Sequence, residues 1–161
     1  MEAWKEFEKE KVNGYVPGFY GPDHPNPIEN FAKFLDKIKD YANGENIPKD
    51  HVPQVDYWLI NNEKFIGRVA IRLRLTPALR KLGGHIGYAI RPSARKKGYG
   101  TAMLNMALEK AKNIGLKKVL LGCNETNTGS KKIIEKNGGV FDKRYPLDGK
   151  MKLSFWIDLE P

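Results

Sequence analysis

The stretch of this sequence best equipped for chemistry is Arg95-Lys96-Lys97-Gly98-Tyr99-Gly100. A strand-like apolar run, Ile86-Gly87-Tyr88-Ala89-Ile90, leads into it, and a helix-like run, Thr101 to Asn113, leads out. The first N–H groups of a helix have no partner within the helix, and the helix dipole places partial positive charge beside them. Gly98 and Gly100 carry no Cβ, so an anion can approach the backbone closely. Lys96 and Lys97 add formal charge. A group bearing phosphate or pyrophosphate is therefore the expected ligand. A solvated basic loop is the plain alternative for these residues taken alone.

The elements around this turn predict a mixed α and β domain. Met1 to Lys11 reads as a short charged helix with Trp4 and Phe7 on one face, and Gly14 to Pro27 is rich in turn residues. Phe31, Phe34, Leu35 and Ile38 fall at helical spacing within Ile28 to Ala42, which Gly44 ends. Asp56–Ile60 and Lys64–Arg74 read as strands joined at Asn61-Asn62-Glu63, and Thr76 to Leu82 as a helical turn. His85 to Arg91 is a third strand, closed by Pro92. Met103, Leu104, Ala107, Leu108 and Ala111 give the next helix an apolar stripe. Lys117 to Cys123 then forms a β-α-β unit with the strand before the turn, whose two strands are expected to be parallel. A helix from Thr128 to Asn137 and a hairpin, Val140–Tyr145 with Met151–Leu159, complete the chain. The class is α+β (α/β three-layer), with a mostly antiparallel sheet, one parallel pair and flanking helices.

Composition narrows the function. The chain has 161 residues, enough for one domain with a real core. No apolar run approaches a membrane span, and no secretory signal is visible. The single cysteine, Cys123, gives neither a disulfide nor metal-ligand spacing, so no metal is expected and a cytoplasmic location is the default. The net charge of +9 favours an anionic ligand. The basic residues are scattered, without an RNP, zinc-finger or helix-turn-helix signature, so nucleic acid is not the favoured partner. A dinucleotide fold is excluded because Met103 stands where its third glycine belongs, and a P-loop because no Gly-Lys-Ser/Thr occurs.

Together these motifs resemble the GNAT superfamily of acetyl-CoA-dependent N-acetyltransferases. Arg95-x-x-Gly98-x-Gly100 matches the family's Gln/Arg-x-x-Gly-x-Gly/Ala, between a strand and a helix. Asn127, Ser130, Lys136 and Gly138 match a second family element after the following strand. The resemblance runs from about Asp56 to Leu159, and the Gly83-to-Tyr88 stretch is similar to that of a branch of uncharacterised bacterial-type members. It implies one domain, 1–161, with an acceptor-side part over 1–55 and an acetyl-CoA-binding core over 56–161. It also implies a strand ahead of the first helix, which is not read here.

The same resemblance implies roles. The strand ending at Ile90 splays from the one ending at Cys123, and the pantetheine arm pairs with the backbone of Ala89, Ile90 and Arg91. The pyrophosphate lies on the N–H groups of Lys96, Lys97, Gly98, Gly100 and Thr101, with Tyr99 on the adenine side or in the core. Asn127 and Ser130 face the cofactor, and Arg95 is largely structural. The reaction implied is direct attack of a primary amine on the thioester within a ternary complex, with a backbone N–H near Ala89 or Ile90 as oxyanion donor.

His85 falls near the catalytic-glutamate position of histone-acetylating members, which makes it a candidate base. A histidine that caps the strand is the alternative. His24 and His51 have weaker claims. Ile134 stands where many members place an acidic tyrosine, so Tyr88 or Tyr99 is the candidate acid, unless they are packing residues. Cys123 reads as a buried small residue rather than a nucleophile. Tyr15, Phe19 and Tyr20 could wall an acceptor pocket, and Arg72, Arg74 and Arg80 could hold an anion on the acceptor. A non-catalytic acyl-CoA-binding module or sensor is the alternative function. Homodimers are common in the family.

Overall fold

A computed structural model describes residues 2–10 and 26–160. Tyr15, Phe19, Tyr20 and His24 lie outside the described residues. In chain order the elements are α1 (Glu2–Glu8), α2 (Phe31–Asn43), β1 (Gln54–Asn61), β2 (Lys64–Arg72), α3 (Leu79–Leu82) and β3 (Ile86–Ile90). A single 3-10 turn (Pro92–Ala94) leads to α4 (Tyr99–Asn113), β4 (Lys118–Asn124), α5 (Thr128–Lys136), β5 (Val140–Leu147) and β6 (Lys150–Asp158).

Local chemistry sets these boundaries. Asn30 caps α2 by accepting from the Lys33 N–H at 2.9 Å, and Gly44, at φ 74°, closes it in the left-handed region. Asn62 and Glu63 (φ 47° and 61°) turn the β1–β2 hairpin, and Asp148 and Gly149 (φ 50° and 70°) turn β5–β6. Asn127 caps α5 through its Oδ1, which accepts from the Ser130 N–H at 3.0 Å.

The strands form two antiparallel sheets, β1-β2-β3 and β4-β6-β5. Helix α4 closes the core between them. Its Met103, Leu104, Ala107, Leu108 and Ala111 share one buried cluster with Val69, Ile71, Ile86 and Ile90 of the first sheet and Val119, Leu121, Phe155 and Ile157 of the second. Burying such side chains supplies roughly 1.5–3 kcal/mol each, which is what ties two otherwise separate sheets together.

The two strands of the expected splayed parallel pair are not hydrogen-bonded to one another along their length. Between β3 and β4 there is no ladder; they meet at an isolated bridge, Gly84 with Leu121, and at His85. The backbone shows why. Gly83 and Gly84 have φ of 144° and 73°, which turns the chain out of strand geometry just where pairing would begin. At Gly84 a Cβ would stand 2.0 Å from the Leu120 carbonyl oxygen, so only glycine permits this approach. Beyond this point β3 pairs with β2 alone, in the register Gly67 with Ile90 to Ile71 with Ile86.

Candidate active site

Register fixes which backbone groups face the gap between the sheets. The Arg72 N–H donates to the His85 carbonyl and the Arg91 N–H to the Ile66 carbonyl, both at 2.8 Å. By the alternation of an antiparallel ladder, the His85 carbonyl, the backbone groups of Gly87 and Ala89 and the Arg91 N–H are committed to β2. Those of Ile86, Tyr88 and Ile90 point away from it, toward β4. On the facing strand, β6 takes the alternate set, since Leu159 N–H donates to Lys117 and Glu125 N–H to Met151. The backbone groups of Gly122 and Asn124 are thereby turned toward β3. The gap is edged by backbone that neither sheet uses, which is the seat an extended amide-bearing chain requires. Of the Ala89-to-Arg91 run expected to receive it, only Ile90 presents its backbone here, and Tyr88 joins it.

The basic turn has the geometry of an anion seat. Lys96 and Gly98 both have positive φ, 61° and 83°, which curls the backbone so that successive N–H groups converge. Gly98 is the N-cap of α4 and carries no side chain to satisfy the first turn. A Cβ on Gly98 would meet nothing within 4 Å, so the space over it is open. At Gly100 the space is taken, because a Cβ would stand 2.6 Å from Ile133 Cδ1. Gly100 therefore seats α5 against α4, whereas Gly98 faces outward. Lys97 Nζ donates to the Ser93 carbonyl at 3.0 Å, and the Tyr99 hydroxyl accepts from Asn61 Nδ2 at 3.0 Å.

Arg95 turns away from this seat. Its Nε donates to the Ile90 carbonyl at 3.0 Å, and its two terminal nitrogens donate to Glu10 at 2.6 and 2.7 Å. The arginine of the motif is a brace, and Ile90's carbonyl is occupied by it.

A cavity of about 520 Å³ adjoins the gap. Arg68, Ala70 and Arg72 of β2 and Gly87 and Ala89 of β3, which alternate with the core residues, form one side of it. Tyr88, Gly122, Cys123, Asn127 and Ser130 form the end nearest the splay. Tyr41, Asp50 and His51 contribute at α2 and the loop after it, and the Tyr41 hydroxyl contacts His51 Nδ1. Arg72 lies in this lining, donating to the Gly84 carbonyl at 3.0 Å, while Arg74 and Arg80 are not part of it.

Tyr88 of β3 and Ser130 of α5 meet at this end of the cavity. Their hydroxyls are 2.9 Å apart. Burial pushes the Tyr88 phenol up to about 12, against the opposing effect of its bond to Ser130, so the phenol keeps its proton throughout the neutral range. Burial likewise pushes the Cys123 thiol up, which leaves it a poor nucleophile. Ile134 is fully buried in the core, so the family's tyrosine position presents no polar group here.

His85 does not have the geometry of a base. The Leu120 N–H donates to its Nδ1 at 2.9 Å, and the His85 N–H donates to the Leu120 carbonyl at 2.7 Å. An accepting Nδ1 places the ring proton on Nε2, so the neutral ring has no lone pair left to take a proton. Burial, then the charges of Arg80 and Arg72, lower its pKa from 6.5 to about 4. The imidazole fills the place of a ladder partner at the point where β3 and β4 part. Because the folded pKa lies below the unfolded one, the unfolded chain takes up the proton first. The stability tied to a neutral His85 is complete above pH 6.5 and falls as the pH drops toward about 4. Urea titrations of wild type and His85→Gln across this range are expected to converge as the pH falls, from a gap of roughly 1–3 kcal/mol at pH 7.

Sequence reasoning passed over α1. Glu2, Glu6 and Glu10 recur every four residues, a signal present in the sequence; Glu2 and Glu6 of α1 reach Arg91 and Ser93, and Glu10, in the turn after α1, reaches Arg95. The N-terminal segment thus contacts the stretch that leads from β3 into the basic turn.

The profile of the acetyltransferase (GNAT) domain matches residues 2–140. The chain belongs to the GNAT acetyltransferase family. Curated protein sequences give no match. Solved GNAT structures share the fold at low identity. RimJ of Mycobacterium smegmatis, in complex with CoA-disulfide, aligns with TM-score 0.68 and 17% identity over 98% of this chain and 76% of that one. YncA of Salmonella typhimurium, with its cofactor acetyl-CoA, gives 0.65 and 12% over 99% and 89%. A spermidine N-acetyltransferase SpeG chimera of Vibrio cholerae and hSSAT gives 0.64 and 16% over 95% and 87%. Among the described residues of this GNAT domain, no helix is long and apolar enough to cross a membrane, and no group of His, Cys, Asp or Glu is arranged to hold a metal ion.

Proposed function

We propose that this protein is an acetyl-CoA-dependent N-acetyltransferase acting on a primary amine by direct attack. The observation that carries the reading is the splay itself: backbone of Tyr88 and Gly122, with the N–H groups of Ile90 and Asn124, is left out of both sheet ladders and opens between an outward-facing basic turn and a cavity large enough for a small acceptor. The residues fit the cofactor. The N–H groups of Lys96 to Thr101 would hold the pyrophosphate, and the gap-facing groups of Tyr88 and Ile90 the pantetheine arm. When bound, acetyl-CoA supplies the activated acetyl group.

This chain's residues do the rest. Neighbouring N–H groups on β3 that face the gap are placed to stabilise developing negative charge. Tyr88, a phenol that stays protonated, donates a hydrogen bond toward the leaving sulfur, and Ser130 orients it. A phenol with a pKa of about 12 is a weak acid, so its contribution is hydrogen bonding to the thiolate more than full proton transfer. Asn127 shapes this end by capping α5. The base expected at His85 passes elsewhere: of the described groups lining the cavity, Asp50 and His51 are those able to accept a proton from the incoming ammonium. Residues 1–161 act as one domain under this reading, with the cytoplasm as its working compartment.

The test is a panel of primary amines (amino acids, polyamines, aminoglycosides and peptides) read by release of free CoA thiol. Turnover with any of them supports the reading. Acetyl-CoA binding with no turnover across the panel would favour the sensor, the function that a buried Ile134 in the tyrosine position suggests.

A further inference from the structure

The segment Arg91–Lys97 joins β3 to α4 and shapes the phosphate seat; within it the Ala94 N–H donates to the Arg91 carbonyl, the Arg95 N–H to that of Pro92 and Lys97 Nζ to that of Ser93. Lys96 holds φ 61° without being glycine. A left-handed residue with a Cβ costs roughly 1–2 kcal/mol and persists where its surroundings over-determine it. The surroundings here come from α1, some 85 positions away in sequence. Glu6 accepts from Arg91 Nε at 2.8 Å, from the Ser93 N–H at 3.0 Å and from the Ser93 hydroxyl at 3.0 Å. Glu2 accepts from Arg91 at 3.2 Å, and Glu10 takes both terminal nitrogens of Arg95. Bonds from α1 and the turn after it therefore grip the segment immediately before Lys96. The Arg91 side chain is 12% exposed and that of Glu6 23%, so this part of the contact is partly withdrawn from water.

We propose that α1 and the turn that follows it are a brace for the cofactor turn, with Glu6 and Glu10 as positioning residues that hold Arg91–Lys97 in its anion-binding conformation. The proposal rests on the acetyl-CoA reading above and adds a role for an N-terminal segment outside both motifs. Glu6 and Glu10 both sit below the usual carboxylate range. For Glu6 burial pushes upward, and the bonds from Ser93 and Arg91 outweigh it; for Glu10 the Arg95 hydrogen bond leads.

The opposite sign of effect has a definite physical basis, which makes the test sharp. Carboxylates near a phosphate seat repel phosphate and occupy two arginines, so removing them would tighten binding if Coulomb attraction dominated. That gain is small, because exposed pairs such as Arg95–Glu10, at 42% and 36% side-chain exposure, are worth up to about 1 kcal/mol and are screened by salt. Loss of a preorganised turn costs more, since every amide that points at the ligand must then be ordered on binding.

The experiment is calorimetric titration of wild type, Glu6→Gln/Glu10→Gln and Glu10→Gln with CoA and with pantetheine, which lacks the pyrophosphate. The brace predicts that the double variant binds CoA about tenfold or more weakly, with pantetheine affinity changed less than about twofold. A general loss of structure would weaken both ligands alike. Should the double variant not fold, Glu10→Gln carries the test in a cycle with Arg95→Gln: if Glu10 acts through Arg95, the pair together loses no more than the worse single change. Equal or tighter CoA binding by the variants overturns the brace and makes α1 a mask on the arginines. No CoA binding by well-folded wild type overturns the acetyl-CoA reading, and the brace with it.

Discussion

Gly98→Glu is expected to abolish acetyl-CoA binding and leave the domain folded. Both halves follow from the geometry. The space above Gly98 is open, so the new side chain meets no atom of the protein within 4 Å at its Cβ. It projects into the phosphate seat and brings a negative charge to the end of α4, where the dipole and the unsatisfied N–H groups had favoured an anion. Its φ of 83° adds a backbone penalty of about 1–2 kcal/mol, which lowers the melting temperature without preventing folding. Gly98→Ala separates the contributions: it carries the backbone penalty without the charge, and is expected to retain measurable affinity. Titration of both variants with acetyl-CoA, beside their melting curves, checks this. Unchanged affinity in the glutamate variant would remove the turn from the binding site.

Tyr88→Phe is expected to lower kcat by about 10²-fold while KM for acetyl-CoA moves less than about threefold. The ring remains to pack between the sheets, and only the hydroxyl that meets Ser130 at 2.9 Å is lost. The stability cost is that of one hydrogen bond, about 1 kcal/mol, so a collapse of activity would not reflect unfolding. The pH dependence adds a second check. With its pKa near 12, Tyr88 does not ionise across the working range, and an alkaline loss of rate between pH 8 and 10 would have to come from another group. If kcat of the phenylalanine variant stayed within threefold of wild type, water or unassisted departure of the thiolate would account for the last step.

What could be read from the sequence was local. The basic strand-to-helix turn is visible in Arg95 to Gly100 because glycine, lysine and the strand-to-helix switch lie within a few residues. The α4 stripe, the capping asparagines and the hairpin turns are likewise written in neighbouring positions. The acetyltransferase family follows from two such motifs at the right separation.

His85 was harder to read for a physical reason. Its type suits a base and a hydrogen-bond acceptor equally, and the Leu120 N–H that decides between them arrives from a strand 35 positions later. The parallel pair was expected from connectivity, which fixes strand order but not whether the strands touch along their length; the splay came from the family resemblance alone, and Gly84's approach to Leu120, where it begins, depends on tertiary geometry. The acidic face of α1 was present at helical spacing, but nothing local says that Glu6 and Glu10 meet Arg91 and Arg95. Tyr88 was a candidate acid or a packing ring from its sequence position, and its hydroxyl partner, Ser130, comes from a separate helix.

The most direct test of the central claim is a pair of thermal melts, wild type and Gly98→Glu, with and without acetyl-CoA at moderate salt. At a hundred times its dissociation constant the ligand stabilises the folded state by about 2.7 kcal/mol, a rise of roughly 5–10 °C for a domain of this size. The account predicts that rise in wild type and none in the variant. A well-folded wild-type protein whose melting temperature does not move would contradict it, and equal shifts in both proteins would place the ligand somewhere other than the turn before α4.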